Sequence, residues 1–241
     1  GKSIVVIEGA GRIGGRAYTE SDSFGAPFDH GCSWIMGARD LPYIEMAKEW
    51  NFNLLDHNYA GGALYVDDHR ANGADRRKFN TAWSEVEGAV SAAGQSGLDV
   101  PASSVIPAQL DFAGVAQTWM GPMDWGVDFE NLSTLDVWKY GEIESNYMVK
   151  EGYGSVVARM GAGLPVKLNT PATRIDWSGD GVSVETPTGT IRAKACIVTV
   201  STGVLRAGVI EFAPALPGWK LRAIDNLPMG LLAKVTLQFD G

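Results

Sequence analysis

Cysteine is nearly absent from this 241-residue chain: Cys32 and Cys196 are the two it has, far apart and in no C-x-x-C pair. That spacing indicates neither a zinc site nor a disulfide framework. Histidine is almost as scarce, and His30, His57 and His69 show neither ligand spacing nor the company of a catalytic triad, so no metal site is expected. There is no run of about 18 apolar residues of the kind that spans a bilayer. Basic residues are in deficit, with 20 Lys+Arg against 28 Asp+Glu and a formal net charge of -8. That balance argues against nucleic acid as a partner and mildly suits a cationic small molecule, although acidic charge that serves only solubility looks the same. Internal repeats and low-complexity segments are also lacking.

What is present is a hydrophobic content of 45% and 30 glycines, ordinary for a packed globule of one large domain or two smaller ones. The opening Gly1-Lys2-Ser3-Ile4-Val5-Val6-Ile7 reads as a strand rather than a secretion signal, which gives an expectation of a soluble cytoplasmic protein. Strand and glycine-rich turn continue to about Gly37. From Ala38 to Glu151 helical patterns dominate, at residues 41–50, from Arg76 to Ala93 and from Pro107 to Met120, with turns at Ala60-Gly61-Gly62 and Gly94-Gln95-Ser96-Gly97. From Gly152 onward short strands are expected: residues 166–168, 173–177, 182–186, 190–194 and 195–200, punctuated by Ser178-Gly179-Asp180-Gly181 and Thr186-Pro187-Thr188-Gly189. The order of nucleotide-type strand, helical insertion and β-meander predicts an α+β fold with an inserted helical subdomain.

Two features carry candidate chemistry. Gly9-Ala10-Gly11-Arg12-Ile13-Gly14 matches G-x-G-x-x-G after a strand, the fingerprint whose glycines admit a pyrophosphate to the backbone. The fingerprint should open a helix, yet residues 15–27 have no helical period and are interrupted by Gly25 and Pro27. The alternative puts Glu8 at the C-terminal end of its strand as a ribose-binding acid, with Gly14-Gly15-Arg16 near the phosphates; a plain glycine turn between strands explains the cluster too. The second feature is Lys234, the single charge in Leu231-Leu232-Ala233-Lys234-Val235-Thr236-Leu237-Gln238-Phe239, a run that reads as a strand buried on at least one face. Taken alone, that strand favours a lysine reaching solvent.

Five segments in order change that preference. Glu8-x-x-x-Arg12-Ile13-Gly14-Gly15-Arg16, Phe28-Asp29-His30-Gly31-Cys32-Ser33-Trp34, Asn169-Thr170-Pro171-Ala172-Thr173-Arg174-Ile175, residues 197–205 and residues 227–235 together resemble the flavin-containing amine oxidases, which include polyamine oxidases, monoamine oxidases and flavin-type histone lysine demethylases. The resemblance implies FAD as cofactor and an amine as substrate, oxidised to an imine that hydrolyses to a carbonyl and a smaller amine, with molecular oxygen as acceptor and peroxide as product. It implies that Glu8 holds the adenosine ribose, that Arg16 and the Gly14-Gly15 backbone approach the pyrophosphate with Arg12 in the same cofactor-binding group, that Gly31, Cys32, Ser33 and Trp34 run beside the flavin ring, and that the Ala172 backbone meets the adenine. Lys234 corresponds to a lysine that works through a water at flavin N5, which makes it the catalytic candidate.

The resemblance also implies a discontinuous FAD-binding-type domain (1–37 and 152–210) and a substrate-binding domain (38–151 and 211–241). Asp67, Asp68, Glu142 and Glu144 are candidate holders of a distal ammonium, and Trp119, Trp125, Trp138 and Tyr140 could line an aromatic amine cage; surface charge and core packing explain these residues as well. Family members place a further strand, glycine turn and long helix ahead of the acid-bearing strand and continue past the lysine strand. The expectation is therefore an incomplete FAD-binding domain in a partial view of a longer protein, with a cofactor-free binding or scaffold relative of the fold as the alternative.

Overall fold

The strands of the computed structural model, which describes residues 2–36, 41–57, 63–141 and 146–239, are short. In chain order they are β1 (Val6–Ile7), β2 (Thr19–Glu20), β3 (Phe28–Asp29), β4 (Trp34–Met36), β5 (Leu54–Asp56), β6 (Tyr65–Val66), β7 (His69–Arg70), β8 (Asn146–Val149), β9 (Val166–Lys167), β10 (Arg174–Asp176), β11 (Val182–Thr186), β12 (Gly189–Ala193) and β13 (Glu211–Ala213). The α-helices are α1 (Tyr43–Glu49), α2 (Gly73–Gln95), α3 (Ala113–Thr118), α4 (Thr134–Tyr140), α5 (Tyr153–Met160), α6 (Thr202–Arg206) and α7 (Gly218–Asp225). Helices and sheets are mixed, as the α+β expectation requires. The chain forms two units, one of Gly1–Ile35, Pro42–Leu55 and Tyr147–Met229, the other of Met36–Leu41, Asp56–Asn146 and Gly230–Gly241.

In the first unit β1 pairs in parallel with β9, Val6 opposite Val166 and Ile7 opposite Lys167. A second sheet runs β12-β11-β10-β13, an antiparallel meander to which β13 adds in parallel beside β10. Ile175, Val184 and Ile210 are buried at its centre, with Ile7 and Ala172 packed against them. Alternation along β10 and β11 puts Ile175 and its partner Val184 on one face. β2 and β3 form a separate hairpin, Thr19 opposite Asp29 and Glu20 opposite Phe28.

The second unit is built on α2. Asn72 starts it with a capping box: its Oδ1 accepts from the amides of Ala74 at 2.7 Å and Asp75 at 3.1 Å, while Asp75 Oδ2 accepts from the Asn72 amide at 3.1 Å. Ala82, Val86, Val90 and Gly94 recur every fourth residue and are all buried. Val86 and Val90 join Ala102, Ala116, Phe129 and Leu132 in the core. Gly94 is required for close approach, because a Cβ there would lie 2.3 Å from the Thr134 carbonyl oxygen and 2.4 Å from Trp138 Cβ.

Several expectations are corrected. Residues 195–200 form no strand, and Ile197 is 88% exposed. Residues 231–239 form none either and are exposed throughout, Leu231, Val235 and Phe239 among them. Both runs have strand composition, but a strand needs a hydrogen-bonded neighbour and a face to bury against, and neither run pairs with a strand among the described residues. The same holds for residues 2–5, so the opening strand shrinks to β1. The helix expected from Pro107 begins only at Ala113, since Phe112 sits in the left-handed region (φ 67°); it then widens into a π turn over Trp119–Met123 that contains Pro122. Beyond Gly152, α5, α6 and α7 interrupt the expected run of strands. The turn at residues 60–62 lies outside the described residues.

Asp29 ties together parts of the first unit that are far apart in sequence. Its carboxylate accepts from the amides of Tyr153 at 2.9 Å and Gly154 at 3.2 Å, which open α5, and from the Thr19 hydroxyl across the hairpin. An amide at a helix start has no intrahelical acceptor, and a carboxylate there also complements the helix dipole. Asp29→Ala is expected to destabilise the chain by about 2 kcal/mol, read as a lowered urea midpoint at unchanged slope. Asp29→Asn is expected to recover part of the loss.

Candidate functional site

The glycine loop leaves the C-terminal end of β1 and closes directly on the turn that follows β9. The Glu8 amide donates to the Lys167 carbonyl at 2.9 Å, the Thr170 amide to the Glu8 carbonyl at 2.8 Å and the Asn169 amide to the Ala10 carbonyl at 2.9 Å. Glu8 and Ala10 are thus zipped to residues 167–170, and the parallel register of β1 and β9 brings Glu8 against Thr170, two residues before Ala172. Glu8 is partly buried and its Oε1 accepts from the Ala10 amide at 2.7 Å, which fixes the carboxylate over the loop. Gly9 lies against Pro171, 3.6 Å from its would-be Cβ, and Gly11 against Asn169 Oδ1 at 3.3 Å. Asn169 has a left-handed backbone (φ 51°), a conformation asparagine tolerates better than most residues. Reading the sequence did not single out Asn169; the Asn-x-Pro turn was the available signal.

The other half of the loop meets the second predicted segment. Gly14 (φ 105°) and Gly15 (φ 54°) have backbones that glycine adopts without strain, and the Ala17 amide closes the turn on the Gly14 carbonyl at 2.9 Å. The Arg16 carbonyl then accepts from the Cys32 amide at 3.2 Å, and the Tyr18 carbonyl from the His30 amide at 2.9 Å. Arg16 and Tyr18 are therefore laddered to Cys32 and His30, directly after the Gly14-Gly15 turn. Arg16 and Cys32 are exposed, Ser33 is 5% exposed with its hydroxyl donating to the Gly31 carbonyl at 3.3 Å, and Trp34 is partly buried in β4. Tyr153, which opens α5, has its phenol pushed up in pKa by burial and, more weakly, by Cys32 and Tyr43.

In the second unit Lys234 lies in the exposed segment of residues 231–239. The start of that segment is anchored where Gly230 touches Gly126 and the Leu231 amide donates to the Gly126 carbonyl at 2.8 Å. Beside Gly126 stands Asp124, which retains exposed surface yet has its carboxyl pushed up by burial. The sequence reading passed over Asp124; its place in Trp119-Met120-Gly121-Pro122-Met123-Asp124-Trp125 was the signal available. Trp125 meets Tyr140 edge-on at 5.1 Å. Trp119, Trp138 and Tyr140 are more than a third exposed, so core packing does not account for them fully. Asp67 and Asp68 form the exposed tip of the β6–β7 hairpin, and Glu142 and Glu144 lie outside the described residues. No cluster of His, Cys, Asp and Glu fit to hold a metal occurs among the described residues, and none of their helices is long and apolar enough to cross a membrane.

Comparison with known proteins bears on the family and the fold. The sequence model described as flavin containing amine oxidoreductase matches residues 1–126 and 123–241. The chain is 27% identical over 268 residues to polyamine oxidase 4 of Oryza sativa subsp. japonica, covering 98% of this chain and 54% of that protein. It is 25% identical to lysine-specific histone demethylase 2 of Homo sapiens, covering 99% of this chain and 32% of that one. Among solved structures, wild-type putrescine oxidase bound to putrescine superposes with a TM-score of 0.70 at 19% identity over 93% of this chain and 58% of that chain. Cyclohexylamine oxidase from Brevibacterium oxydans IH-35A does so with a TM-score of 0.65, also at 19% identity over 93% of this chain and 58% of its own. The chain thus spans about half the length of the polyamine oxidase it matches.

Proposed function

This chain belongs to the flavin-containing amine oxidoreductase family, and from that premise we propose that it supplies the FAD-binding and catalytic lysine portions of an oxidase that converts an amine to an imine. The observation that carries the proposal is the zipper between residues 8–10 and residues 167–170, which sets an acid at a parallel strand end beside the turn bearing Ala172.

The residues of the first unit fit a dinucleotide. Glu8 offers carboxylate oxygens to a ribose diol. Gly15 leaves open space, with no atom within 4 Å of where a Cβ would stand, so the turn can admit phosphates, and Arg12 and Arg16 supply guanidinium charge for them. Gly31, Cys32, Ser33 and Trp34, a segment tied to Arg16 through the Cys32 amide, are the candidates for the ring end. When bound, flavin takes a hydride equivalent from the carbon beside the amine nitrogen and passes the electrons to oxygen, giving peroxide.

The protein's own share is to bind the amine, orient it and move protons. Asp124 is the acid we assign to a distal ammonium in a di- or polyamine, because it stands between Met123 and Trp125 beside Gly126, where the segment bearing Lys234 is anchored. Trp125 and Tyr140 add aromatic surface beside it. We assign Lys234 the task of holding a water and relaying a proton.

Titration with FAD tests the reading. The purified chain is expected to bind FAD saturably at one per polypeptide and, once loaded, to release peroxide with a panel of mono-, di- and triamines. Absence of saturable binding overturns the reading in favour of the cofactor-free binding or scaffold relative; binding without peroxide across the panel overturns the oxidase activity.

A further inference from the structure

We propose that Tyr18 and His30 are positioning residues that act through Arg12, holding its guanidinium over the glycine turn so that the turn is preorganised for the dinucleotide phosphates; the inference rests on the reading above. Nothing in the sequence motifs assigns either ring a role.

Arg12 Cζ lies 4.0 Å from the centroid of the Tyr18 ring. From there the two guanidinium nitrogens reach back to the loop itself, Nη2 donating to the Gly15 carbonyl at 3.0 Å and Nη1 to the Ile13 carbonyl at 3.4 Å. The far face of the arrangement is closed by His30, whose ring stacks on Tyr18 at 5.0 Å and 19°. The hairpin sets that stack. Thr19 pairs with Asp29 and Glu20 with Phe28, and the His30 amide donates to the Tyr18 carbonyl at 2.9 Å, so the two rings are the next cross-strand pair beyond the ladder. The His30 ring also lies edge-on to Phe28 at 4.9 Å, with its Nε2 3.5 Å from Glu20 Oε1. Glu20 is anchored in turn by the amides of Asp22 at 2.8 Å and Ser23 at 3.1 Å.

An arginine on a mobile loop samples many rotamers, and a planar guanidinium laid on a ring samples few. The stack therefore has two consequences. It removes rotamer freedom from Arg12 before any ligand arrives, and it pins the Ile13 and Gly15 carbonyls, which fixes the turn through Gly14 and Gly15 that only glycine adopts without strain. Preorganisation of this kind appears as ligand affinity rather than as new contacts.

The experiment is a double-mutant cycle on FAD affinity, read by flavin fluorescence, with the unfolding temperature of the ligand-free chain recorded beside it. Tyr18→Phe keeps the ring and is expected to bind within about twofold of the parent, whereas Tyr18→Leu is expected to bind about tenfold more weakly. In the Arg12→Gln background, Tyr18→Leu is expected to add no further loss, because there is no guanidinium left to position. A merely structural tyrosine would lower affinity by the same factor in both backgrounds, and that result overturns the inference, as does parent-like binding by Tyr18→Leu. Should Tyr18→Leu fail to fold, His30→Leu at the exposed end of the stack carries the same cycle, with a loss of about threefold expected in the parent and none with Arg12→Gln. A parent chain that binds no FAD removes the functional reading together with this inference; undiminished binding by the variants removes the inference alone.

Discussion

Gly31→Ala is expected to destabilise the chain by about 3 kcal/mol or more, lowering its thermal midpoint by roughly 6–12 °C, and to abolish FAD binding. A Cβ at Gly31 would stand 1.8 Å from the Arg16 carbonyl oxygen and 3.0 Å from its carbon. Both atoms are backbone, so no rotamer change relieves the clash. The same carbonyl accepts from the Cys32 amide at 3.2 Å, so moving it away breaks the ladder that joins Arg16 to the Gly31–Ser33 segment. The damage is therefore steric and falls on the candidate site itself. Gly15→Ala provides the contrast: nothing lies within 4 Å of its Cβ, but its φ is +54°, so the expected penalty is the conformational one of about 1 kcal/mol. Chemical denaturation of the two variants measures the difference, and a Gly31→Ala midpoint indistinguishable from the parent's would refute the steric account.

Which of these features the sequence disclosed follows from how local each one is. The helix α2 is written in its own residues: a capping asparagine, an acid three positions on and apolar positions at every fourth residue. The meander β10–β11–β12 is likewise local, since its turns separate strands that pair with their immediate neighbours. The candidate site residues became legible only as an ordered set of segments, because Glu8 meets Thr170 through a parallel pairing of β1 with β9 that no window of sequence contains. Asp29 marks the limit. Its partners Tyr153 and Gly154 lie more than a hundred residues away, and an aspartate in Phe28-Asp29-His30 carries no local mark of a helix cap.

The opposite error concerns residues 195–200 and 231–239, where composition is right for strands and the strands do not form. Branched and aromatic side chains state a preference for a pleated, half-buried surface; they do not provide the neighbour. Leu231, Val235 and Phe239, each more than three-quarters exposed, hold that preference unmet. Phe112 illustrates the same point at a helix start, where apolar periodicity continues across a residue whose left-handed backbone interrupts it.

For Lys234→Met the expected result is a fall of about 10²-fold or more in amine turnover with little change in stability. The two halves of that statement rest on different grounds. Stability is spared because residues 231–239 are exposed and belong to no sheet, and a substitution at such a position usually shifts stability by no more than about 0.5 kcal/mol. Methionine keeps the length and apolar stem of lysine and removes the charge and the three N–H donors, so what is tested is the ammonium or amine function alone. Turnover falls because, on the proposed reading, that group holds the water through which a proton moves during oxidation. Peroxide release by the FAD-loaded chain, scored beside its calorimetric midpoint, checks both halves together. Unchanged turnover would leave Lys234 as the solvent-reaching lysine that its strand composition alone suggested, whereas a loss shared equally between turnover and midpoint would assign it to structure. A turnover loss with an unchanged midpoint separates chemistry from folding at this residue.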